Sequence, residues 1–121
     1  MKRRLLITED DPALLQMLTW EFEEMGYLVT PSCCCREALR ASADTRFDLA
    51  LLDFDLPDGI GIELMEKLHR QSPEMPVVLY SGRATAAAAE AALQRGACRF
   101  VCKPVASQAL HDMFERLLPC T

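Results

Sequence analysis

The stretch Leu49-Ala50-Leu51-Leu52-Asp53-Phe54-Asp55-Leu56-Pro57-Asp58-Gly59 decides the fold. Four apolar residues without alternation describe a short strand buried on both faces. An acid stands at its carboxyl end, and Asp58-Gly59 reads as a turn. The same short, mostly non-alternating pattern recurs at Leu5-Leu6-Ile7, Tyr27-Leu28-Val29-Thr30, Val77-Val78-Leu79-Tyr80 and Phe100-Val101-Cys102. Segments with helical spacing lie between these runs. Leu15, Leu18, Phe22 and Met25 form one stripe, opened by Pro12 and closed by Gly26. A second helix is expected around Arg36 to Ala43, and Leu64, Met65 and Leu68 mark a third that ends before Pro73. The alanine-rich run Thr85 to Arg95, with Gly96 at its end, is helical on propensity alone. Leu110, Met113, Phe114, Leu117 and Leu118 give the last helix a broad apolar face. Alternating βα units predict an α/β fold, a parallel sheet with helices on both faces.

The chain has 121 residues, which predicts one domain spanning 1–121 with a core of its own. Thirteen basic residues against eighteen acidic ones leave a net charge of −5. That balance argues against a nucleic-acid groove, which needs a basic face, and against docking on an anionic membrane. No apolar run approaches the roughly 20 residues of a membrane span, and acids follow the basic start too closely for a signal peptide. The expected compartment is the cytoplasm. Cysteines stand at 33, 34, 35, 98, 102 and 120. Three in succession suit no disulfide framework, so reduced thiols are expected. The absence of Cys-x-x-Cys and the distance of His69 and His111 in sequence argue against a structural zinc site.

In open parallel sheets ligands bind beyond the carboxyl ends of the strands. Those ends carry Glu9, Asp10 and Asp11 after the first strand, Asp53, Asp55 and Asp58 after the third, Ser81-Gly82 after the fourth and Lys103-Pro104 after the fifth. Crowded carboxylates repel unless a cation sits among them. Mg²⁺ fits, because it is held by few carboxylates, keeps waters and takes remaining ligands from a phosphate. A lysine and a hydroxyl opposite complete a pocket for a transferring phosphoryl group. Asp53, alone at the end of an apolar strand, is placed as its nucleophile. Asp11, ahead of Pro12, reads as a helix cap.

Leu5 to Pro12, Leu51 to Gly61, Val77 to Gly82 and Phe100 to Pro104, taken together and in this order, resemble the receiver domains of two-component response regulators. The resemblance covers essentially the whole chain. It implies a flavodoxin-like, doubly wound (βα)5 fold with a five-stranded parallel sheet in the order 2-1-3-4-5. It implies that Asp53 accepts a phosphoryl group from a sensor histidine kinase or a histidine phosphotransfer protein. It further implies that Glu9, Asp10, Asp53 and the backbone carbonyl of Asp55 hold Mg²⁺, and that Ser81 and Lys103 contact the acyl phosphate. Phe100 matches an aromatic switch position whose rotamer follows Ser81, although core packing explains a strand aromatic equally well. Lys103-Pro104 is expected to be cis. The surface of the fourth helix, fifth strand and fifth helix would change to control a downstream protein, a tethered output domain or a second copy of the chain.

Departures from the family pattern are informative. Glu9 stands where the family usually has Asp, and the run of three acids also permits a metal pair of Asp10 and Asp11, with Pro12 favouring Glu9 and Asp10. Ser81 replaces the commoner Thr. Asp55 and Arg83 occupy positions where the family tunes phosphate lifetime. Two other readings compete with a phospho-acceptor switch. Asp53-Phe54-Asp55 looks like the Asp-x-Asp of haloacid-dehalogenase-like phosphatases, and Glu9 leaves room for a receiver-like module that binds partners without phosphorylation.

Overall fold

Burial turns the short apolar runs into the centre of the molecule. A computed structural model describes residues 2–83 and 85–118. Strands β1 (Arg4–Thr8), β2 (Leu28–Ser32), β3 (Leu49–Asp53), β4 (Val77–Ser81) and β5 (Arg99–Cys102) form one sheet. Its order is β2-β1-β3-β4-β5 and every pairing is parallel. Helices α1 (Pro12–Glu24), α2 (Cys35–Asp44), α3 (Gly61–Gln71), α4 (Ala86–Gln94) and α5 (Ser107–Leu117) connect and cover it. A short antiparallel ladder, Asp55–Leu56 with Gly59–Ile60, separates β3 from α3. The expected flavodoxin-like order is therefore the observed one. Cys120 lies outside the described residues.

Side-chain parity divides the core in two. Leu6, Leu52 and Leu79 face Ala38 of α2, Leu64, Met65 and Leu68 of α3 and Ala92 of α4. Leu5, Ile7, Leu49, Leu51, Val78 and Tyr80 face Leu18 and Phe22 of α1 and Leu110 and Phe114 of α5. Successive strand residues point to opposite faces, so a strand covered on both sides must be apolar throughout. All of β3 and β4 is buried. The second strand differs from its expected bounds. Tyr27 packs in the core instead of pairing, and β2 continues through Pro31 to Ser32. An edge strand needs ladder bonds on one side only, so a residue without an N–H is tolerated there.

Helix boundaries follow local chemistry. Asp11 caps α1 by accepting from the amides of Ala13 at 3.0 Å and Leu14 at 3.4 Å. Gly26 and Gly96 close α1 and α4 with φ of +100° and +120°, conformations that cost an L side chain about 1–2 kcal/mol. Met17 and Trp20 face outward on α1, Trp20 with 62% of its surface exposed. Lys103-Pro104 is cis, as expected.

Gly61 begins α3 hard against the end of β3. A Cβ there would meet the Asp53 carbonyl oxygen at 2.4 Å and a Leu79 methyl at 2.9 Å. Backbone cannot yield as a flexible side chain would, so Gly61→Ala is expected to destabilise by about 1–3 kcal/mol. A lowered urea midpoint with unchanged slope would show it, and an unchanged midpoint would contradict the close approach.

Candidate functional site

Parity that sorts the core also builds the site. Asp53 ends β3 on the same face as Leu49 and Leu51, and its neighbour across the ladder is Tyr80. Glu9 follows β1 with the parity of Leu5 and Ile7, and Lys103 follows β5 with that of Val101. Four polar side chains therefore converge over one end of the sheet. Lys103 Nζ donates to Glu9 Oε1 at 2.8 Å and to Asp53 Oδ2 at 2.9 Å. It also sits 4.5 Å from the centroid of the Tyr80 ring, within cation–π range. The Tyr80 hydroxyl donates to Glu9 Oε1 at 2.6 Å. The backbone supplies two more donors, Asp55 N to Asp53 Oδ1 at 3.1 Å and Asp11 N to Glu9 Oε2 at 3.0 Å.

The expected residues arrive in unequal ways. Glu9 and Asp53 are buried, with 1% and 4% of their surfaces exposed, while Asp10 is exposed. Carboxylate oxygens of these three residues lie within 4.8 Å of one another. The Asp11 carboxylate is committed to its helix cap, so the acidic cluster contains Glu9 and Asp10. Asp55 is near through its backbone, whereas its exposed side chain faces Arg83 at 3.6 Å. Ser81 is buried and its hydroxyl accepts from Arg83 N at 3.0 Å. Phe100 is half-buried and stacks edge-on against Phe54, ring centroids 5.7 Å apart. It packs against the α2–α3–α4 core together with Phe54, the residue after Asp53.

Tyr80 is the participant that sequence reasoning read only as a strand residue. The signal was available in register, because a tyrosine opposite Asp53 on a fully buried strand must find a partner for its hydroxyl. The turn expected at Asp58-Gly59 is present, with Asp58 in it. Its carboxylate also accepts from Cys35 N at 2.8 Å and Arg36 N at 3.0 Å, supplying from a distant loop the cap that Cys34 does not give α2.

Electrostatics separates the two buried acids. Burial opposes charge on Glu9, yet bonds from Lys103, Tyr80 and the Asp11 amide outweigh it and hold the carboxyl down at about 2. For Asp53 burial wins over Lys103 and the Asp55 amide, and the Glu9 charge adds to it, pushing the carboxyl up to about 6. Asp10 is raised by desolvation and by its contact with Glu9. Burial would lower the Lys103 ammonium, but Glu9 and Asp53 raise it. Three carboxylates against one ammonium leave an excess of negative oxygen donors, the donor set a hard divalent cation such as Mg²⁺ takes. The residues present therefore fit that ion.

Two substitutions test these forces. An acid with a raised folded pKa binds its proton more tightly when folded, so stability falls as pH climbs from the unfolded value toward the folded one. Metal-free Asp53→Asn is expected to match the parent near pH 4 and to exceed it by up to about 3 kcal/mol above pH 6. Urea unfolding at several pH values in chelator would read this, and a pH-independent difference would contradict it. Tyr80→Phe keeps the ring and removes the donor to a charged acceptor. It is expected to cost about 1.5–3 kcal/mol in the same assay, whereas a loss within error would mean the hydroxyl bond contributes nothing.

Comparison with known proteins places this geometry. The sequence model of the response regulator receiver domain matches residues 5–115. The chain is 31% identical over 121 residues to the transcriptional regulatory protein GlrR of Escherichia coli (strain K12), covering 97% of this chain and 27% of that one. It is 30% identical over 115 residues to the transcriptional regulatory protein BasR of the same strain, covering 95% and 52%. It thus spans between about a quarter and about half of these relatives. Among solved structures, a CheY-like response regulator receiver domain protein from Methanospirillum hungatei JF-1 superposes with a TM-score of 0.90 at 34% identity, over 97% of this chain and 94% of that one. The non-phosphorylated HemR receiver domain from Leptospira biflexa does so at 0.90 and 30%, over 99% and 97%. Sequence, fold and relatives agree along nearly the whole chain, which belongs to the response regulator receiver domain family.

Proposed function

We propose that this chain is a signalling switch that carries its phosphoryl group on Asp53. Receiver domains of response regulators are phospho-acceptor signalling domains, not conventional enzymes. The observation that carries the assignment here is the placement of Asp53, buried at a strand end with its two oxygens held differently. Oδ1 is tied to the Asp55 amide, and Oδ2 faces the Lys103 ammonium, the group that would pair with an incoming phosphoryl oxygen. Oδ2 is accordingly the attacking atom. It bonds to phosphorus as the nitrogen–phosphorus bond of a phosphohistidine breaks, and the electron pair leaves on the imidazole.

The neighbours have separate tasks. Lys103 pairs with charge developing on the phosphoryl oxygens. Ser81 turns its hydroxyl from the Arg83 amide to donate to one of those oxygens. Phe100 shifts against Phe54 as Ser81 moves, and the surface of α4, β5 and α5 changes with it. Glu9, Asp10 and Asp53, with the Asp55 carbonyl, would hold Mg²⁺. When bound, the ion supplies neutralisation of the charge that accumulates on transfer. The donor is a sensor histidine kinase or histidine phosphotransfer protein, and the recipient of the signal is a downstream protein, a tethered output domain or a second copy of the chain. We place the switch in the cytoplasm. Among the described residues no helix is long and apolar enough to cross a membrane.

Intact mass after incubation with acetyl phosphate and Mg²⁺ tests this reading. One phosphoryl group is expected on the parent chain, dependent on Mg²⁺ and absent from Asp53→Asn. A Mg²⁺-dependent adduct that persists in Asp53→Asn would place the acceptor elsewhere. Absence of any adduct, both from acetyl phosphate and from a phosphorylated histidine phosphotransfer protein, would favour a module that works without phosphorylation.

A further inference from the structure

Outside the acidic cluster, the described residues contain one other group able to hold a metal, at the start of α2. Cys33, Cys34 and Glu37 place two thiol sulfurs and a carboxylate oxygen within 4.8 Å of one another. Around a tetrahedral ion with bonds of about 2.0–2.3 Å, ligands stand roughly 3.5–3.8 Å apart, so modest rotation of side chains closes the set. We propose that Cys33, Cys34 and Glu37 form a site for a thiophilic divalent cation of the Zn²⁺ class. This proposal is independent of the phospho-acceptor reading.

Local structure assembles the trio before any ion arrives. Glu37 lies one turn into α2 and reaches back to accept from Cys33 N at 2.9 Å. The Cys33 sulfur lies within 4.8 Å of a carboxylate oxygen of the same residue. Cys34 occupies the N-cap of α2 but makes no side-chain capping bond, and Asp58 serves the first amides instead. Its sulfur is therefore not committed to the helix. Both cysteines are free thiols, and Cys33 and Glu37 are exposed, so an ion enters from solvent. The Cys-Cys-x-x-Glu spacing supplies three protein ligands and leaves the fourth position to water or another donor.

Ligand chemistry separates this site from the first. Thiolates select Zn²⁺ and similar ions, whereas clustered carboxylates suit Mg²⁺. Binding replaces the protons of two thiols by one ion, with those protons released to solvent. The two sites share a boundary. Ser32, adjacent to Cys33, accepts from the Glu9 amide at 3.0 Å through its carbonyl. Asp58 fastens the loop after Asp53 to the beginning of α2.

The test uses the whole chain under a non-thiol reductant, with Mg²⁺ in excess to keep other cations off the acidic cluster. Cd²⁺ is followed by its thiolate charge-transfer absorbance and Zn²⁺ by calorimetry. One equivalent of each is expected to bind. Cys33→Ser and Cys34→Ser should each weaken binding by more than about 100-fold, beyond what loss of an outer partner costs. Glu37→Gln keeps an oxygen for the Cys33 amide and should weaken it by about tenfold or more, while Cys102→Ser should leave it unchanged. Circular dichroism confirms that each variant is folded. Lack of a charge-transfer band, a band that survives both cysteine substitutions, or indifference to Glu37→Gln would overturn the site.

Discussion

A single ammonium shared between two buried carboxylates governs the working end of the molecule. Lys103 reaches Glu9 and Asp53 at nearly equal distances, 2.8 and 2.9 Å, yet the acids respond oppositely. Glu9 has a tyrosine hydroxyl and an amide besides the lysine, so its charge is well satisfied. Asp53 has one amide and the lysine, and burial dominates. The shared cation keeps both acids tolerable against a largely apolar sheet core, since a buried charge without a partner is far more costly than a polar group. One acid becomes a fixed anchor. The other keeps a higher basicity, with Oδ2 turned to the ammonium.

That division was legible in sequence only in outline. Strand order, helix count and the gathering of Glu9, Asp10, Asp53, Ser81 and Lys103 at one rim follow from periodicity, strand-end chemistry and family resemblance. The strands could be found because burial on both faces leaves little freedom in composition. Tyr80 escaped because a tyrosine in an apolar run looks like any other core residue. Its importance appears once register sets it beside Asp53, a relation between segments 27 residues apart. Asp58 escaped for a related reason. A turn acid satisfies its local role, and nothing nearby in sequence announces that it caps a helix beginning at Cys35. Pairwise relations across the fold, rather than the character of single segments, were what sequence withheld.

Packing and chemistry meet most closely at Gly61 and Ser32. The first lets α3 start against the Asp53 backbone without a side chain between them. The second is buried at the end of the edge strand, where its hydroxyl lies 2.7 Å from that of Thr8 and donates to the Ile7 carbonyl, while its own carbonyl holds the Glu9 amide. Small residues at these points bring main chain close to main chain. Glu9 and Asp53 are thereby aimed by the sheet itself, and their side chains need only short excursions to meet Lys103.

The placement of aromatic rings has an optical consequence. The one tryptophan, Trp20, looks outward from α1, mostly in water, while the rings nearest the acidic cluster are Tyr80, under Lys103, and Phe54, which follows Asp53 and packs on Phe100. Indole emission will describe the solvent around α1 and stay nearly silent about events at the acidic cluster. Tyrosine absorbance carries the nearer record, because the Tyr80 hydroxyl touches Glu9 directly. An indole installed in place of the half-buried ring of Phe54 would give the centre of this molecule a fluorophore of its own.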